Sequence, residues 1–312
     1  MALLLTGQWS DADQARWLQV LRSALPDEQW VLDAPRDPAE AASIEVAVVA
    51  NPAPGRLQGL PGLRLIQSLW AGVDRLLADP SLPEGVPLAR MVDPAMNEAM
   101  AQTALWAVLS LHRGFYGVQA QQTQALWRQP QQLRAAEWTV LVLGLGELGG
   151  RVAAALLTQG YRVCGWSRSP RQLAGVQCFH GAGLDEALAQ ADTVINLLPL
   201  TPETRDFFDA SRLTRFKPGA SFVNLARGAQ VVEEDLRAAL DAGQLSHAVL
   251  DVFRQEPLPA AHPFWAHPRV TVLPHTAAQT DPRSAAQVLV ANLQALRQGR
   301  PLLHRVERAR GY

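Results

Sequence analysis

Thr139-Val140-Leu141-Val142-Leu143-Gly144-Leu145-Gly146-Glu147-Leu148-Gly149 is the stretch that decides how this chain folds. Five residues suited to a buried strand run straight into a glycine turn. A helix to about Gln159 follows, then a second strand over 161–166. Of the three spaced glycines, Gly144 permits a tight turn and Gly146 lets a ligand's pyrophosphate approach the backbone. Gly149 allows the helix to pack closely on the strand, and the helix start supplies N–H donors and a positive dipole end. GxGxxG alone is a weak signal. With strand, turn, helix and second strand in the required order, it predicts a dinucleotide-binding unit that includes Leu145, Glu147 and Leu148.

Working outward, the same alternation continues. Strands are expected over 193–197, 221–225, 248–251 and 270–273, with helices over Leu184–Gln190 and 233–242 between them. Upstream, apolar runs at 3–5, Ile44–Ala50 and 63–69 read as buried strands, with a helix over 11–25. Asp93-Pro94 punctuates the chain. Residues 96–124, rich in Ala, Gln, Leu and Met, then read as one long helix that crosses between domains or packs against a second subunit. A last helix over 283–296 returns to the first domain, and 305–312 reads as a loosely held tail. The expected fold is therefore α/β with two doubly wound parallel-sheet domains. A Rossmann-type cofactor domain (99–280) is inserted in a flavodoxin-like substrate domain (1–98 plus 281–312).

Composition narrows the function classes. A chain of 312 residues, 48% hydrophobic and 18% charged, is long enough for two cores. Its net charge of -1, without blocks of like charge, argues against nucleic acid or an acidic membrane surface as partner. No apolar run approaches the ~18 residues of a membrane span. The apolar start at Met1-Ala2-Leu3-Leu4-Leu5 lacks a basic flank and reads as a strand, not a signal peptide. The two cysteines, Cys164 and Cys178, have no metal-ligand spacing around them. No metal site is expected, and a reducing cytoplasm fits.

Where NAD-binding versions of the βαβ unit carry an acid for the ribose hydroxyls, this chain has Trp166-Ser167-Arg168-Ser169-Pro170-Arg171. A carboxylate there would repel a 2′-phosphate. Ser167 can instead donate a hydrogen bond to it, and Arg168 and Arg171 can pair with it. The expected cofactor is NADP(H), with NAD(H) weaker.

Three polar residues stand just past the carboxyl ends of later strands: Arg227, Glu256 and His275. Reducing a 2-oxo acid calls for such groups. An imidazolium can protonate the carbonyl oxygen, and a carboxylate beside it favours the charged ring and fixes its tautomer. A guanidinium can bind the substrate carboxylate and polarise the carbonyl.

The order of the glycine turn, Asn196-Leu197-Leu198-Pro199-Leu200-Thr201-Pro202-Glu203-Thr204, and the Arg227, Glu256 and His275 segments resembles the D-isomer-specific 2-hydroxyacid dehydrogenases. Within them the chain is similar to the glyoxylate/hydroxypyruvate reductase A branch. The segments carrying this likeness are Trp166-Ser167-Arg168-Ser169, Gln255-Glu256-Pro257-Leu258-Pro259 and Trp265-Ala266-His267-Pro268-Arg269-Val270. The resemblance implies that Arg227 binds and activates substrate, that Glu256 partners the histidine and that His275 donates the proton. It further implies that Leu198, Pro199, Leu200, Thr204 and Ala226 border the cofactor, that Asp251 lies near the carboxamide, and that the protein is a homodimer. Trp70-Ala71-Gly72-Val73-Asp74 resembles the loop that offers N–H groups to the substrate carboxylate. Many members have a small residue at the place of Trp70, so Trp70 either narrows the site toward two- and three-carbon acids or packs.

The remaining histidines are expected elsewhere: His112 at a subunit contact, and His180, His247, His262, His267 and His304 on surfaces or loops. Glu98 is read as hinge or packing, Glu147 as facing solvent, and the tryptophans mainly as core and interface. The competing functions are reduction of a different or bulkier 2-oxo acid and a non-catalytic role as a nucleotide-sensing interaction protein.

Overall fold

The computed structural model describes residues 1–311 and divides the chain into two compact units. One comprises Met1–Met96 with the chain from Thr280 onward, the other Asn97–Gln279.

The first unit is built on β1 (Ala2–Gly7), β2 (Gln29–Leu32), β3 (Ile44–Ala50), β4 (Leu65–Ser68) and β5 (Leu88–Ala89). They form one parallel sheet in the order β2-β1-β3-β4-β5, the flavodoxin-like arrangement. Period-two alternation sends Leu3 and Leu5 to one face and Ala2 and Leu4 to the other. On the first face they meet Trp17 and Leu21 of α1 (Asp11–Ala24). Short helices α2 (Pro38–Ser43) and α3 (Asp74–Leu77) connect strands, and Ala41 and Leu76 enter the opposite core.

α4 (Pro94–His112) starts where Asp93, itself buried, accepts hydrogen bonds from the N–H groups of Ala95 and Met96. It does not run on to 124. Gly114 takes φ of 68°, the left-handed region, and a separate helix α5 (Phe115–Gln122) begins after it. One glycine thus breaks a helix that composition alone carries through.

The second unit holds β6 (Thr139–Leu143), α6 (Glu147–Thr158), β7 (Arg162–Ser167), β8 (Gln177–His180), α7 (Leu184–Gln190) and β9 (Thr193–Asn196). After these come α8 (Ala210–Leu213), β10 (Ala220–Asn224), α9 (Glu233–Asp241), β11 (Leu245–Leu250) and β12 (Val270–Val272). All seven strands are parallel, in the order β12-β11-β10-β9-β6-β7-β8. The chain winds outward from β6 to β8 and then returns to place β9 on the other side of β6. The turn after β6 and the loop after β9 therefore flank the switch point, where ligands bind in open α/β sheets. Leu141 and Leu143 pack with the Phe208–Phe216–Phe222 cluster on one face, and Val140 and Val142 with Val152 and Leu156 of α6 on the other.

α10 (Pro282–Arg297) buries Ala285, Ala286, Leu289 and Leu293 in the core of the first unit. The following chain is held, contrary to the loose tail expected. Val306 is buried and its N–H bonds to Leu88 O at 2.8 Å, while Arg308 Nη2 donates to Val86 O at 2.6 Å. Tyr312, the last residue of that expected tail, lies outside the described residues. Among these residues no helix is long and apolar enough to cross a membrane.

Candidate active site

The glycine turn has different local reasons at each position. Gly144 has φ of 96°, and a Cβ there would lie 2.8 Å from Leu197 O, so the turn presses against the loop after β9. At Gly149 a Cβ would stand 1.8 Å from Gly144 O, so α6 sits on the turn at a distance only glycine allows. At Gly146 a Cβ would meet no atom within 4 Å, and φ is -81°. Nothing in the protein itself demands glycine there. Gly146 is also the N-cap of α6, which has no side-chain cap. An open cradle at an uncapped helix start fits a pyrophosphate. Glu147 is exposed, as expected, and Leu145 fills the space left by Gly165 on β7.

At the end of β7, Ser167 Oγ donates to Ser169 O at 2.7 Å, closing a short turn that presents Arg168 and Arg171, both exposed. Sequence reading missed an acid that stands nearby from another loop. Thr201 first, and Arg168 by its charge, help to hold the Glu203 carboxyl below its ordinary value. Thr204 is engaged within its own loop, its hydroxyl donating to Pro199 O at 2.7 Å and accepting from Thr201 N–H at 2.8 Å.

The structure brings Glu256 and His275 together. Glu256 Oε2 lies 2.8 Å from His275 Nδ1, and Oε1 accepts from Phe253 N–H at 3.0 Å. A carboxylate can only accept, so Nδ1 carries the proton and Nε2 is the ring's outward nitrogen. Half of the His275 side chain is exposed against a quarter of Glu256. Burial alone would push the Glu256 carboxyl up. The His275 hydrogen bond, Phe253 N–H and the charges of His275 and Arg227 outweigh it and hold the group below its ordinary value.

His275 has φ of 52°, a left-handed conformation that costs a non-glycine residue ~1 kcal/mol or more. Asp251, fully buried, enforces it. Its backbone O accepts from His275 N–H at 2.9 Å, and its carboxylate from Thr276 N–H at 2.7 Å and Ala277 N–H at 3.1 Å. Burial raises the Asp251 carboxyl despite those bonds. Thus Asp251 spends both its oxygens on aiming the histidine loop.

Arg227 follows β10. Next to it, a Cβ on Gly228 would fall 1.9 Å from Phe253 C, so the arginine loop is packed directly on the loop that carries Glu256. Arg227 Nη1 donates to Ala226 O at 2.7 Å. Behind it lies a set of amides the sequence reading passed over. Asn196, Asn224 and Gln230 are all fully buried and bonded to one another at 2.8–3.0 Å through Asn196 Nδ2. Asn196 and Asn224 each sit at a strand end, which is the signal that could have drawn attention to them.

In the first unit, Trp70 N–H is committed to Ser68 Oγ at 3.0 Å, and the indole packs edge-on against Trp17 with centroids 6.0 Å apart. A packing role for Trp70 is therefore real. Ala71 and Gly72 are partly exposed beside it and Val73 is buried. His112 is not on a surface. It is buried, with Nε2 2.8 Å from Leu133 O and Nδ1 3.0 Å from Tyr161 OH. His247 likewise lies half-buried in β11, stacked on Tyr116 at 4.3 Å and bonded to Thr271. Glu98 pairs with Arg151.

Residues 105–277 match the family model described as D-isomer specific 2-hydroxyacid dehydrogenase, NAD binding domain. The chain is 43% identical over 289 residues to a glyoxylate/hydroxypyruvate reductase A from Serratia proteamaculans, covering 91% of each chain. Its fold superposes with a TM-score of 0.93 on a D-isomer specific 2-hydroxyacid dehydrogenase from Xanthobacter autotrophicus Py2 crystallised with NADPH and MES. That pair is 40% identical and covers 100% of this chain and 99% of the other. An NADPH-dependent glyoxylate/hydroxypyruvate reductase from Sinorhizobium meliloti, solved with NADP and sulfate, gives a TM-score of 0.92 at 34% identity with the same coverage.

Proposed function

We propose that this chain, which belongs to the D-isomer-specific 2-hydroxyacid dehydrogenase family, reduces glyoxylate and hydroxypyruvate with NADPH in preference to NADH. At the coarser level it is an NADP-dependent dehydrogenase that reduces 2-oxo acids. The observation that carries the chemistry is the Glu256–His275 pair at 2.8 Å, set beside Arg227 on loops that pack on one another, and the exposed Arg168 and Arg171 at the end of β7 support NADPH.

The cofactor is held at Gly144, Gly146 and the start of α6, bordered by Leu198, Pro199 and Ala226. Ser167, Arg168 and Arg171 receive the 2′-phosphate. When bound, the reduced nicotinamide supplies the hydride for the carbonyl carbon. Arg227 pairs with the substrate carboxylate and draws charge toward the carbonyl oxygen. Within the first unit, the loop Ala71-Gly72-Val73 offers N–H groups of the kind that bind a carboxylate, that of Trp70 being committed to Ser68. His275 donates its Nε2 proton to the oxygen as negative charge builds there, and solvent reprotonates it through the exposed half of the ring. Glu256 acts through His275, holding the proton on Nδ1 and turning Nε2 outward for transfer.

The working unit in this reading is a homodimer formed through α4, α5 and the chain after them. That stretch exposes Trp106, Phe115, Val118, Leu126 and Leu133, and leaves Trp127 94% exposed. Apolar side chains gathered along one stretch mark an interaction surface. The free thiols of Cys164 and Cys178 fit a reducing, cytoplasmic setting. The test is initial-rate oxidation of NADPH and of NADH with glyoxylate, hydroxypyruvate, pyruvate and phenylpyruvate. Highest kcat/KM with the first two and NADPH is expected. Turnover confined to phenylpyruvate, or preference for NADH, overturns the substrate or cofactor assignment respectively.

A further inference from the structure

We propose that Gln230 is a positioning residue that fixes the loop bordering the cofactor and the substrate arginine in one geometry. The inference rests on the reading of Arg227 as the group that binds the substrate carboxylate. Gln230 sits in the turn after Arg227 with no solvent exposure. Its side chain uses its whole hydrogen-bonding capacity. Oε1 accepts from Asn196 Nδ2 at 2.8 Å and from Arg227 N–H at 3.2 Å, and Nε2 donates to Leu198 O and Pro199 O, each at 3.1 Å. One amide group thus ties the loop after β9 to the backbone root of Arg227.

Two asparagines extend the lock. Asn196 Oδ1 accepts from Leu198 N–H at 3.2 Å. Asn224 Oδ1 accepts from Asn196 Nδ2 at 3.0 Å and from Ala226 N–H at 3.2 Å, and its Nδ2 donates to Arg227 O at 3.2 Å. Both backbone polar groups of Arg227 therefore end on this network, one on Gln230 and one on Asn224. The three amides are neutral, so they fix geometry without placing a charge near the transferred hydride or the Arg227 guanidinium. Simple packing of strand ends would be served by apolar side chains, which carry no desolvation cost. A fully satisfied buried amide network specifies one backbone arrangement instead.

Replacing Gln230 by Met keeps length and volume and removes all four bonds. Arg227 then loses the tie on its N–H and its link to the loop after β9, and its backbone keeps the bonds on its carbonyl oxygen. We expect kcat/KM for glyoxylate to fall ~10- to 100-fold, the scale of a small misplacement of a substrate clamp. Oxalate, a non-reacting analogue with the same carboxylate, binds the NADP+-loaded enzyme ~10-fold more weakly by calorimetry on the same ground. Gln230→Glu keeps the accepting half and loses the donors to Leu198 and Pro199. A carboxyl buried there takes up a proton readily and regains one donor, so the ratio of this variant's kcat/KM to that of wild type recovers as pH falls, a change that Gln230→Met does not show. If both variants fold, with kcat/KM and oxalate affinity within ~2-fold of wild type, the amide is merely structural and the proposal fails. If Gln230→Met does not fold, the acid-side recovery of Gln230→Glu decides, and its absence overturns the proposal. Wild-type turnover with unaffected variants rejects this inference alone. A wild-type enzyme that neither reduces a 2-oxo acid nor binds oxalate rejects it together with the reading of Arg227.

Discussion

Replacing Gly146 by Ala separates what the glycine turn does for the fold from what it does for the ligand. The added Cβ meets no protein atom within 4 Å, and φ of -81° suits any residue. Two small effects on stability oppose each other. Ala is a poorer N-cap than Gly, at a cost of up to ~1 kcal/mol, while the unfolded chain loses freedom worth up to ~1 kcal/mol. The net change in Tm is expected within ~4 °C. Binding is different, because the methyl occupies space that a pyrophosphate needs. Overpacking of a tight contact costs ~1–3 kcal/mol, which is ~5- to 150-fold in Kd. Gly149→Ala inverts the pattern. Its Cβ would lie 1.8 Å from Gly144 O, a backbone atom that cannot step aside, so the apo protein itself loses ~3 kcal/mol or more. Thermal denaturation of the apo proteins and NADPH titration by nucleotide fluorescence read the two quantities independently. A Gly146→Ala protein that is folded and binds NADPH like wild type would refute the assignment of this turn to the pyrophosphate.

Three further outcomes are expected. Arg168→Asp exchanges a 2′-phosphate partner for a repelling charge, so the ratio of kcat/KM for NADPH over NADH should reverse. An unchanged ratio means that the phosphate is held elsewhere. His247 is held by burial to a pKa of about 4, against 6.5 for a free side chain. Its folded value is depressed, so its contribution to stability is present above pH 6.5 and is lost as pH falls toward about 4. Partial exposure limits that loss to ~2 kcal/mol, and a His247→Gln protein should show a flatter fall of Tm over the same window; a parallel fall in both proteins assigns the acid sensitivity to other groups. Trp70→Ala removes the contact with Trp17 and should cost ~2–4 kcal/mol of stability. If the ring also narrows the substrate site, the preference for glyoxylate over phenylpyruvate relaxes; an unchanged preference leaves packing as its only role.

The residues readable in advance were those whose chemistry forces a local pattern. β6 and its turn announce themselves because a fully buried parallel strand must be apolar throughout and a phosphate turn must be glycine. Arg227, Glu256 and His275 stand out as polar residues at strand ends. What escaped notice depends on distant partners. β2, β5 and β8 are short or half-polar strands that exist because a neighbour pairs with them. The break at Gly114 is a single residue's backbone choice within a helical composition. Val306 is buried because β5 offers it a carbonyl, which no local pattern in 305–312 reveals. Gln230 looked like an ordinary loop residue, since its importance lies in four bonds to residues 3, 31, 32 and 34 positions away. The resemblance places Asp251 near the carboxamide, and its further part in holding the His275 loop, through bonds to Thr276 and Ala277, has no local signal in the sequence.

The proposed reduction of a 2-oxo acid stands first on His275 as the proton donor. The direct test is single-turnover oxidation of enzyme-bound NADPH by glyoxylate in wild type and His275→Ala, with NADPH affinity measured in parallel. Unchanged NADPH binding and a rate lowered by ~100-fold or more, the usual worth of a positioned general acid, are expected. A His275→Ala protein that binds NADPH and oxidises it at the wild-type rate would mean that the proton comes from another group.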